Sequence, residues 1–199
     1  MVEGITGFTE ATPGNVLFGA CTVHKGLKYD TQKKSWNTLE TLIGATNGGS
    51  KLDIVPELTQ IPIDGVYVAM MGTDVKTGEK ATLEINFAEI TPGIIKAGTL
   101  AAAGVTEGDF DVIAPKADIS TGDYWENVAL FGKTADGKAV IAILENALCT
   151  SGLSVEGKNK TGSTQKIVFR CTQKPGGDPR KLPWKVYYPK TAAAQASAG

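Results

Sequence analysis

The chain has 199 residues, of which 42% are hydrophobic, so it is long enough to bury the core of one domain without disulfides or a structural metal. Its 20 basic and 21 acidic residues nearly cancel, which argues against a protein that grips nucleic-acid phosphates through clustered lysine and arginine. No apolar run approaches the roughly 20 residues that a membrane-spanning helix needs, which argues against a helical membrane protein.

The N-terminal quarter is predicted to contain little regular structure. Residues 1–15 are rich in threonine, glycine and proline, which predicts an arm, and they lack the basic start and apolar stretch of a secretory signal. A first strand is predicted at 16–23. The following segment, 26–50, has no sustained periodicity beyond a helical turn at 38–43. Because loops of this length in compact domains commonly carry a function, we expect a long functional loop at 26–50.

The middle of the chain predicts a β-hairpin. Apolar and polar residues alternate over 81–90, which is typical of a strand with one buried face. We expect this strand to pair with the apolar run 66–71 across a polar turn at 74–79. The preceding strand, predicted at 51–63, changes its apolar phase midway, which indicates a bulge, and Pro56 places it at a sheet edge or at a break in the ladder.

A helix is predicted at about 91–103. Thr91 can cap it, Pro92 suits the first helical position, and apolar residues recur along one face. We expect the helix to end near Gly104. The acidic segment that follows, 107–123, does not match the calcium-loop spacing of an EF-hand, and we interpret it as a solvated surface.

The C-terminal half predicts two hairpins. One joins strands at 127–131 and 139–148 across an Asp-Gly turn, which is a strong turn signal. The other joins 153–156 to 166–173 across a polar loop. Alternation predicts a last strand at 184–188.

About eight short strands and one clear helix predict a mainly β fold, a β-sandwich or barrel with one flanking α-helix. We interpret 1–199 as a single domain. Its low-complexity C-terminal end, residues 190–199, is predicted to be a flexible tail.

The residues needed for enzyme chemistry cannot be assembled from this sequence. His24, the only histidine, has no converging partners nearby, so we expect a structural or surface role. The segment 132–134 lacks the leading glycine of a phosphate-binding loop. Cys21, Cys149 and Cys171 are widely separated and predict free thiols. We therefore expect a protein that is not an enzyme and that uses no cofactor or metal.

A series of short motifs runs through nearly the whole chain in a fixed order. The motifs are Thr12-Pro13, Asn15-Val16, Leu42-Ile43-Gly44-Ala45-Thr46-Asn47-Gly48-Gly49-Ser50, Pro56-Glu57, Asp64-Gly65, Glu89-Ile90-Thr91-Pro92, Glu126-Asn127-Val128, Glu145-Asn146-Ala147-Leu148, Leu182-Pro183-Trp184 and Tyr187-Tyr188-Pro189. In this order and spacing they resemble the tail tube, or major tail, proteins of tailed bacteriophages.

The resemblance implies a structural protein of the virion tail, assembled in the cytoplasm of the host bacterium. Six copies would form a ring, and rings would stack into a hollow tube through which the genomic DNA leaves the capsid. The implied partners are further copies of the chain and the tail terminator, tape measure and distal tail proteins, with a sheath protein left open. Double-stranded DNA would pass without specific binding, and no membrane partner is implied.

The resemblance also implies which residues make contacts. The N-terminal arm and the loop 26–50 would bridge subunits or rings. The bore should be neutral or acidic, because a lysine-lined bore would hold the phosphates of the duplex. The loop residues expected in contacts are Tyr29, Trp36, Leu42, Gly44, Ala45, Thr46, Asn47, Gly48 and Gly49, and the candidates for facing the lumen are Glu57, Glu84 and Glu145.

Two alternative functions remain open from the sequence. One is the inner tube protein of a phage-tail-like contractile injection particle, which delivers protein instead of DNA. The other, from a different class, is a monomeric β-sandwich binding module. Such a module is expected to expose a cluster of aromatic residues, whereas Trp36, Trp125 and Trp184 are scattered along the chain.

Overall fold

The computed structural model describes residues 7–17, 19–157, 159 and 162–189. The predicted tail at 190–199 and the first six residues of the predicted arm lie outside this part of the chain. Strands make up 45% of the structure and helices 11%, and the sheets are antiparallel. The predicted mainly β fold is therefore confirmed. No sheet within the described residues is closed, so the finer prediction of a β-sandwich or barrel is not confirmed.

One large sheet and two small ones organise the described residues. The strands are β1 (Thr22–His24), β2 (Tyr29–Asp30), β3 (Ser35–Trp36), β4 (Thr46–Gln60), β5 (Asp74–Phe87), β6 (Ala102–Glu107), β7 (Phe110–Ala114), β8 (Trp125–Lys133), β9 (Ala139–Cys149), β10 (Gln165–Cys171) and β11 (Trp184–Tyr187). The helices are α1 (Thr12–Asn15), α2 (Thr38–Thr41) and α3 (Pro92–Thr99), with a 3-10 turn at Thr121–Asp123. The large sheet has the order β1-β8-β9-β10-β5-β4, with β11 also paired to β9. β2–β3 and β6–β7 are separate two-stranded sheets.

The main core lies between the large sheet and α3. Every second residue of β5 from Ala81 to Phe87 is buried, as the alternation predicted. Ile94 and Ala97 of α3 pack on this face together with Ile167 and Phe169 of β10. Removing such side chains from water is the main stabilising contribution to the fold, at about 25 cal/mol per Å² of apolar surface.

A second apolar cluster covers the opposite face of the sheet at its β8–β9 end. Val128 belongs to the main core, whereas its neighbour Ala129 belongs to the second cluster, because successive strand residues point to opposite faces. Leu27, which precedes the small β2–β3 hairpin, and Trp36 of β3 pack over Ile143 and the rest of this cluster. The β8–β9 hairpin is therefore covered on both faces by its own chain.

The capped helix forms as predicted but ends earlier. The Thr91 hydroxyl accepts a hydrogen bond from the Ile94 N–H at 3.3 Å, which caps the first turn. Leu100 adopts a left-handed conformation, so α3 stops at Thr99 instead of reaching 103. The next residues form β6, which pairs with β7 in a hairpin that the sequence did not predict.

The central hairpin has different partners from those predicted. The pairing of 66–71 with 81–90 across a turn at 74–79 is wrong, because β5 begins at Asp74 and pairs along its length with β4. The run 66–71 instead lies in the connection between these two strands. A register shift between Glu57 and Leu58 confirms the predicted bulge, and β4 is an edge strand, as Pro56 indicated.

Two further strand predictions fail and two hold. Residues 153–156 form no strand, and β10 pairs instead with β5 and β9. The first strand is limited to β1, with Leu17 in an isolated bridge to Thr134. The Asp-Gly hairpin is confirmed as β8–β9, where Gly137 takes the positive φ of 83° that the turn requires. The last predicted strand is confirmed as β11.

Candidate assembly surface

The β4–β5 hairpin extends beyond the rest of the large sheet. β10 pairs with β5 only from Gln165↔Phe87 to Arg170↔Thr82. Beyond that point the residues of β4 and β5 pair only with each other, as far as Gln60↔Asp74. We call residues 55–80 the hairpin arm, and the connecting residues 61–73 the arm tip.

The arm tip is held by its own hydrogen bonds. The Ile61 N–H donates to the Thr73 carbonyl at 2.9 Å, and the Thr73 hydroxyl donates to the Met70 carbonyl at 2.7 Å. The Val66 N–H donates to the Ile63 carbonyl at 3.1 Å. These bonds fix the course of the backbone through the tip, so its side chains are presented in a defined arrangement.

The side chains of the arm tip are apolar and exposed. Tyr67 is 94% exposed and Met71 is fully exposed. The exposed large apolar residues of the tip and the adjoining strand ends are Leu58, Ile61, Ile63, Tyr67, Val68, Met70, Met71 and Val75. Soluble monomers rarely expose contiguous apolar patches larger than a few hundred Å², so this many exposed apolar side chains in one short segment is unusual.

The segment 26–50 is not the long irregular loop that the sequence predicted. It contains the β2–β3 hairpin and α2, and its last residues belong to β4. Trp36 packs edge-on against Tyr187 of β11, with ring centroids 4.9 Å apart, and lies 5.2 Å from the Tyr29 ring. Trp36 therefore covers the second cluster of its own chain, while Tyr29 remains 45% exposed.

The glycine-rich end of this segment is fixed to the neighbouring strand. Gly48 and Gly49 have φ values of 89° and 84°, which side-chain-bearing residues rarely adopt. Their carbonyls accept hydrogen bonds from the Asn86 side chain at 3.4 and 3.2 Å, where the ladder register breaks. The other predicted contact residues lie nearby along the chain. Exposed are Leu42, Ala45 and Asn47, and partly buried are Gly44 and Thr46.

A groove lies at the β1 edge of the sheet. It encloses about 510 Å³ and is lined by residues of β1, α2 and β8 that include Leu39, Leu42 and Phe131. Leu39 is 97% exposed and Leu42 is 53% exposed. His24 forms part of its lining, joined by hydrogen bonds to Thr22 at 2.8 Å and Thr41 at 3.1 Å. Burial lowers the pKa of His24 below its usual value of 6.5.

The three glutamates predicted to face the lumen share one feature. Glu57 pairs with Lys80 at 2.6 Å, and Glu84 pairs with Lys166 at 2.7 Å. Glu145 forms an ion pair with Lys185. In each case the lysine lies on a neighbouring strand, so the carboxylate charge is balanced where it stands. Ion pairs at the surface are screened by solvent and add little to stability, so their main effect is on the local charge.

The described residues offer few reactive groups. They include no group of three or more His, Cys, Asp or Glu side chains placed to hold a metal ion. All three cysteines are free, as predicted, and burial raises the pKa of Cys171 to about 11. In the same part of the chain, every helix is too short or too polar to cross a bilayer.

The sequence missed the arm tip because an apolar run is typical of a buried strand. The turn-forming residues around this run could have identified it. Pro62, Gly65 and Gly72 surround 66–71, and proline and glycine mark turns and loops. An apolar strand is buried only if other elements pack against it, and the sequence of the strand alone does not show whether such elements are present.

The architecture is that of a mainly β protein with open antiparallel sheets and an exposed apolar arm. Compared with models of known families and with curated proteins, the chain matches none.

Proposed function

We propose that this chain is the repeating subunit of a bacteriophage tail tube. Six copies form a ring around an open channel, and stacked rings form the conduit for DNA ejection. The observation that carries this proposal is the hairpin arm, whose apolar tip has no cover within the described residues of its own chain. The ordered motifs that resemble tail tube proteins support the same function.

The arm favours assembly because water is a poor environment for its tip. Apolar surface of this extent on a soluble chain marks a contact with another molecule. A contact between two different surfaces of identical copies closes into a ring when the rotation between neighbours is suitable. The same contact therefore covers the tip of every copy.

The open edges of the large sheet add a second contribution. β4 is a 15-residue edge strand whose outer backbone groups have no strand partner within the described residues. Exposed edges of this length template pairing with other chains. Neighbouring copies in a ring would cover this edge, and a barrel wall made of several copies would then replace the barrel that one chain does not close.

The lysine partners of Glu57, Glu84 and Glu145 suit a wall along which DNA must slide. We assign these pairs to the lumen. Each lysine contact to a phosphate increases the affinity for DNA, and an adjacent carboxylate offsets that attraction. A charge-balanced lumen would release the duplex, in agreement with the net charge of −1.

Further contacts are assigned to surfaces outside the arm. We assign the exposed side chains Tyr29, Leu42 and Asn47 to contacts between subunits or rings, and the two ends of the tube to the terminator, tape measure and distal tail proteins. Trp36 is omitted from these contacts because it packs on its own chain.

The test is negative-stain electron microscopy of the concentrated, purified protein. We expect rings with a central hole and tubes of stacked rings. A variant in which 61–73 is replaced by Asn-Gly keeps a hairpin, because a two-residue turn fits between the paired residues Gln60 and Asp74. This variant is expected to remain monomeric with an unchanged circular dichroism spectrum.

The matched control is Phe110→Ser, which removes a 76% exposed aromatic side chain from the β6–β7 hairpin. It is expected to assemble like the wild type. A wild-type protein that stays monomeric at high concentration contradicts the proposed function. A tip-replacement variant that still forms tubes contradicts the role of the arm in assembly.

A further inference from the structure

The β1-edge groove is a second apolar surface without cover. Leu39 and Leu42 stand at its rim, and Leu17, which is 52% exposed, lies beside it against Gly132. Phe131 contributes an aromatic wall. The groove of about 510 Å³ is large enough to admit one or two large side chains.

Hydrogen bonds hold one side of the groove in place before anything binds. The Lys25 N–H donates to the Thr41 carbonyl at 2.8 Å, and the Ile43 N–H donates to the Val23 carbonyl at 3.0 Å, so the C-terminal end of α2 is tied to β1. The hydrogen bond between the His24 ring and the Thr41 hydroxyl adds a further connection. A preformed site loses little conformational entropy on binding.

The arm and the groove lie at opposite edges of the same sheet. The order β1-β8-β9-β10-β5-β4 separates β1 from β4 by five strand spacings, or about 24 Å. A contact between the arm tip and the groove therefore joins two different copies. It is a head-to-tail contact, in which each copy offers its arm to one neighbour and its groove to another.

The two surfaces complement each other in chemistry. Both are apolar, and the thioethers of Met70 and Met71 adapt to an irregular groove. The tip carries the exposed carboxylate of Asp64, while Lys133 is part of the groove lining. Glu40 places one negative charge on α2.

We infer that the arm tip of one copy docks into the β1-edge groove of a second copy of this chain. This inference rests on the proposed self-assembly and names the two surfaces that meet. Tyr67 and Met71 enter the groove, where they contact Leu39, Leu42 and Phe131.

The test uses two variants that each damage one surface. Met71→Asp places a charge on the tip, and Leu39→Asp places one at the groove. Both residues are almost fully exposed, so neither change disturbs the folded monomer. Sedimentation velocity is expected to show that each variant alone self-associates at least about tenfold more weakly than the wild type. Phe110→Asp, a control at a residue that is 76% exposed and lies outside both surfaces, is expected to associate normally.

Mixing the two variants distinguishes this contact from others. The Met71→Asp chain keeps its groove and the Leu39→Asp chain keeps its arm, so an equimolar mixture is expected to form a 1:1 dimer that does not extend. If the wild type assembles but the mixture stays monomeric, the docking is overturned and the tube function survives. If the wild type itself does not assemble, the proposed function fails and the docking inference fails with it.

Discussion

His24 is held between two threonine hydroxyls at the end of β1 and is only 3% exposed. Burial lowers its pKa, so the folded chain keeps a neutral imidazole at pH values where the unfolded chain is already protonated. The stability that His24 contributes is therefore fully present above pH 6.5 and decreases as the pH falls through 6.5 towards the lower pKa of the folded state.

We predict that the free energy of unfolding falls between pH 7.5 and pH 5.5 and that His24→Gln removes part of this fall. Urea unfolding of both proteins at several pH values measures it. The stability difference between wild type and variant is expected to narrow as the pH decreases. A difference that stays constant across this range contradicts the role assigned to His24.

The cap of α3 is a second contribution of a single side chain. Thr91→Ala removes the hydroxyl that accepts the Ile94 N–H, and we predict a loss of about 1 kcal/mol in the free energy of unfolding. Thr99→Ala is the control, because the Thr99 hydroxyl donates to a carbonyl inside the helix and caps nothing. Urea unfolding compares the two. Equal losses in both variants contradict the capping role.

At the scale of elements, the β2–β3 hairpin acts as a cover for its own sheet. Trp36 shields the second apolar cluster and contacts Tyr187. We predict that Trp36→Ala lowers the free energy of unfolding by about 2–3 kcal/mol, less than the 3–5 kcal/mol typical of a fully buried tryptophan. The more exposed Tyr29→Ala is expected to cost less.

We would introduce both substitutions into the monomeric tip-replacement variant and measure the free energy of unfolding by heat and by urea. Because this variant is expected not to assemble, assembly does not contribute to the measured stability. If Trp36→Ala leaves its stability unchanged, Trp36 does not cover its own chain. The residue would then return to the contacts between subunits that the resemblance implied.

Elements with strong local signals could be predicted from the sequence. The alternation of β5, the Asp-Gly turn of β8–β9 and the Thr91 cap each depend on neighbouring residues alone. The run 66–71 could not be placed, because its burial depends on elements far away in the chain. The end of α3 was missed because Leu100, and not a glycine, takes the left-handed conformation at which the helix stops.

For the candidate assembly surface, the sequence indicated the types of residue involved better than their places in the fold. Glu57, Glu84 and Glu145 were identified as polar strand residues, but their lysine partners come from other strands and depend on sheet order. The segment 26–50 was selected for its length, yet it folds into a hairpin and a helical turn. The arm tip is defined by the pairing of β4 with β5, which brings Gln60 and Asp74 together and leaves 61–73 as the connection.

At the scale of the whole molecule, the charge balance leads to a prediction about DNA. A double variant replaces Glu57 and Glu84 by glutamine (Glu57→Gln and Glu84→Gln). Lys80 and Lys166 then lose their carboxylate partners. If these residues line the lumen, assembled tubes of the variant are expected to cosediment with double-stranded DNA at low salt, whereas wild-type tubes do not. The retention should weaken steeply with salt, because the logarithm of the binding constant falls against the logarithm of the salt concentration with a slope of about −0.9 for each phosphate contacted.

The matched control for this experiment is the double variant Asp109→Asn, Asp111→Asn. It makes the same change in net charge on the exposed β6–β7 hairpin. Tubes of the control are expected to behave like the wild type. Equal DNA retention by both variants would show that net charge, and not the lining of a channel, determines the effect.

The large sheet is asymmetric as a whole, with an apolar arm at one edge and an apolar groove at the other. If the arm of one copy docks into the groove of the next, as we propose, each molecule is complete only when another copy stands on each side of it. Cryo-electron microscopy of the assembled particle tests this most directly. We expect six copies around an open channel, with every arm tip covered by a neighbouring copy. A chain that remains single at millimolar concentration, or a particle in which the arm tips project into solvent, contradicts this account.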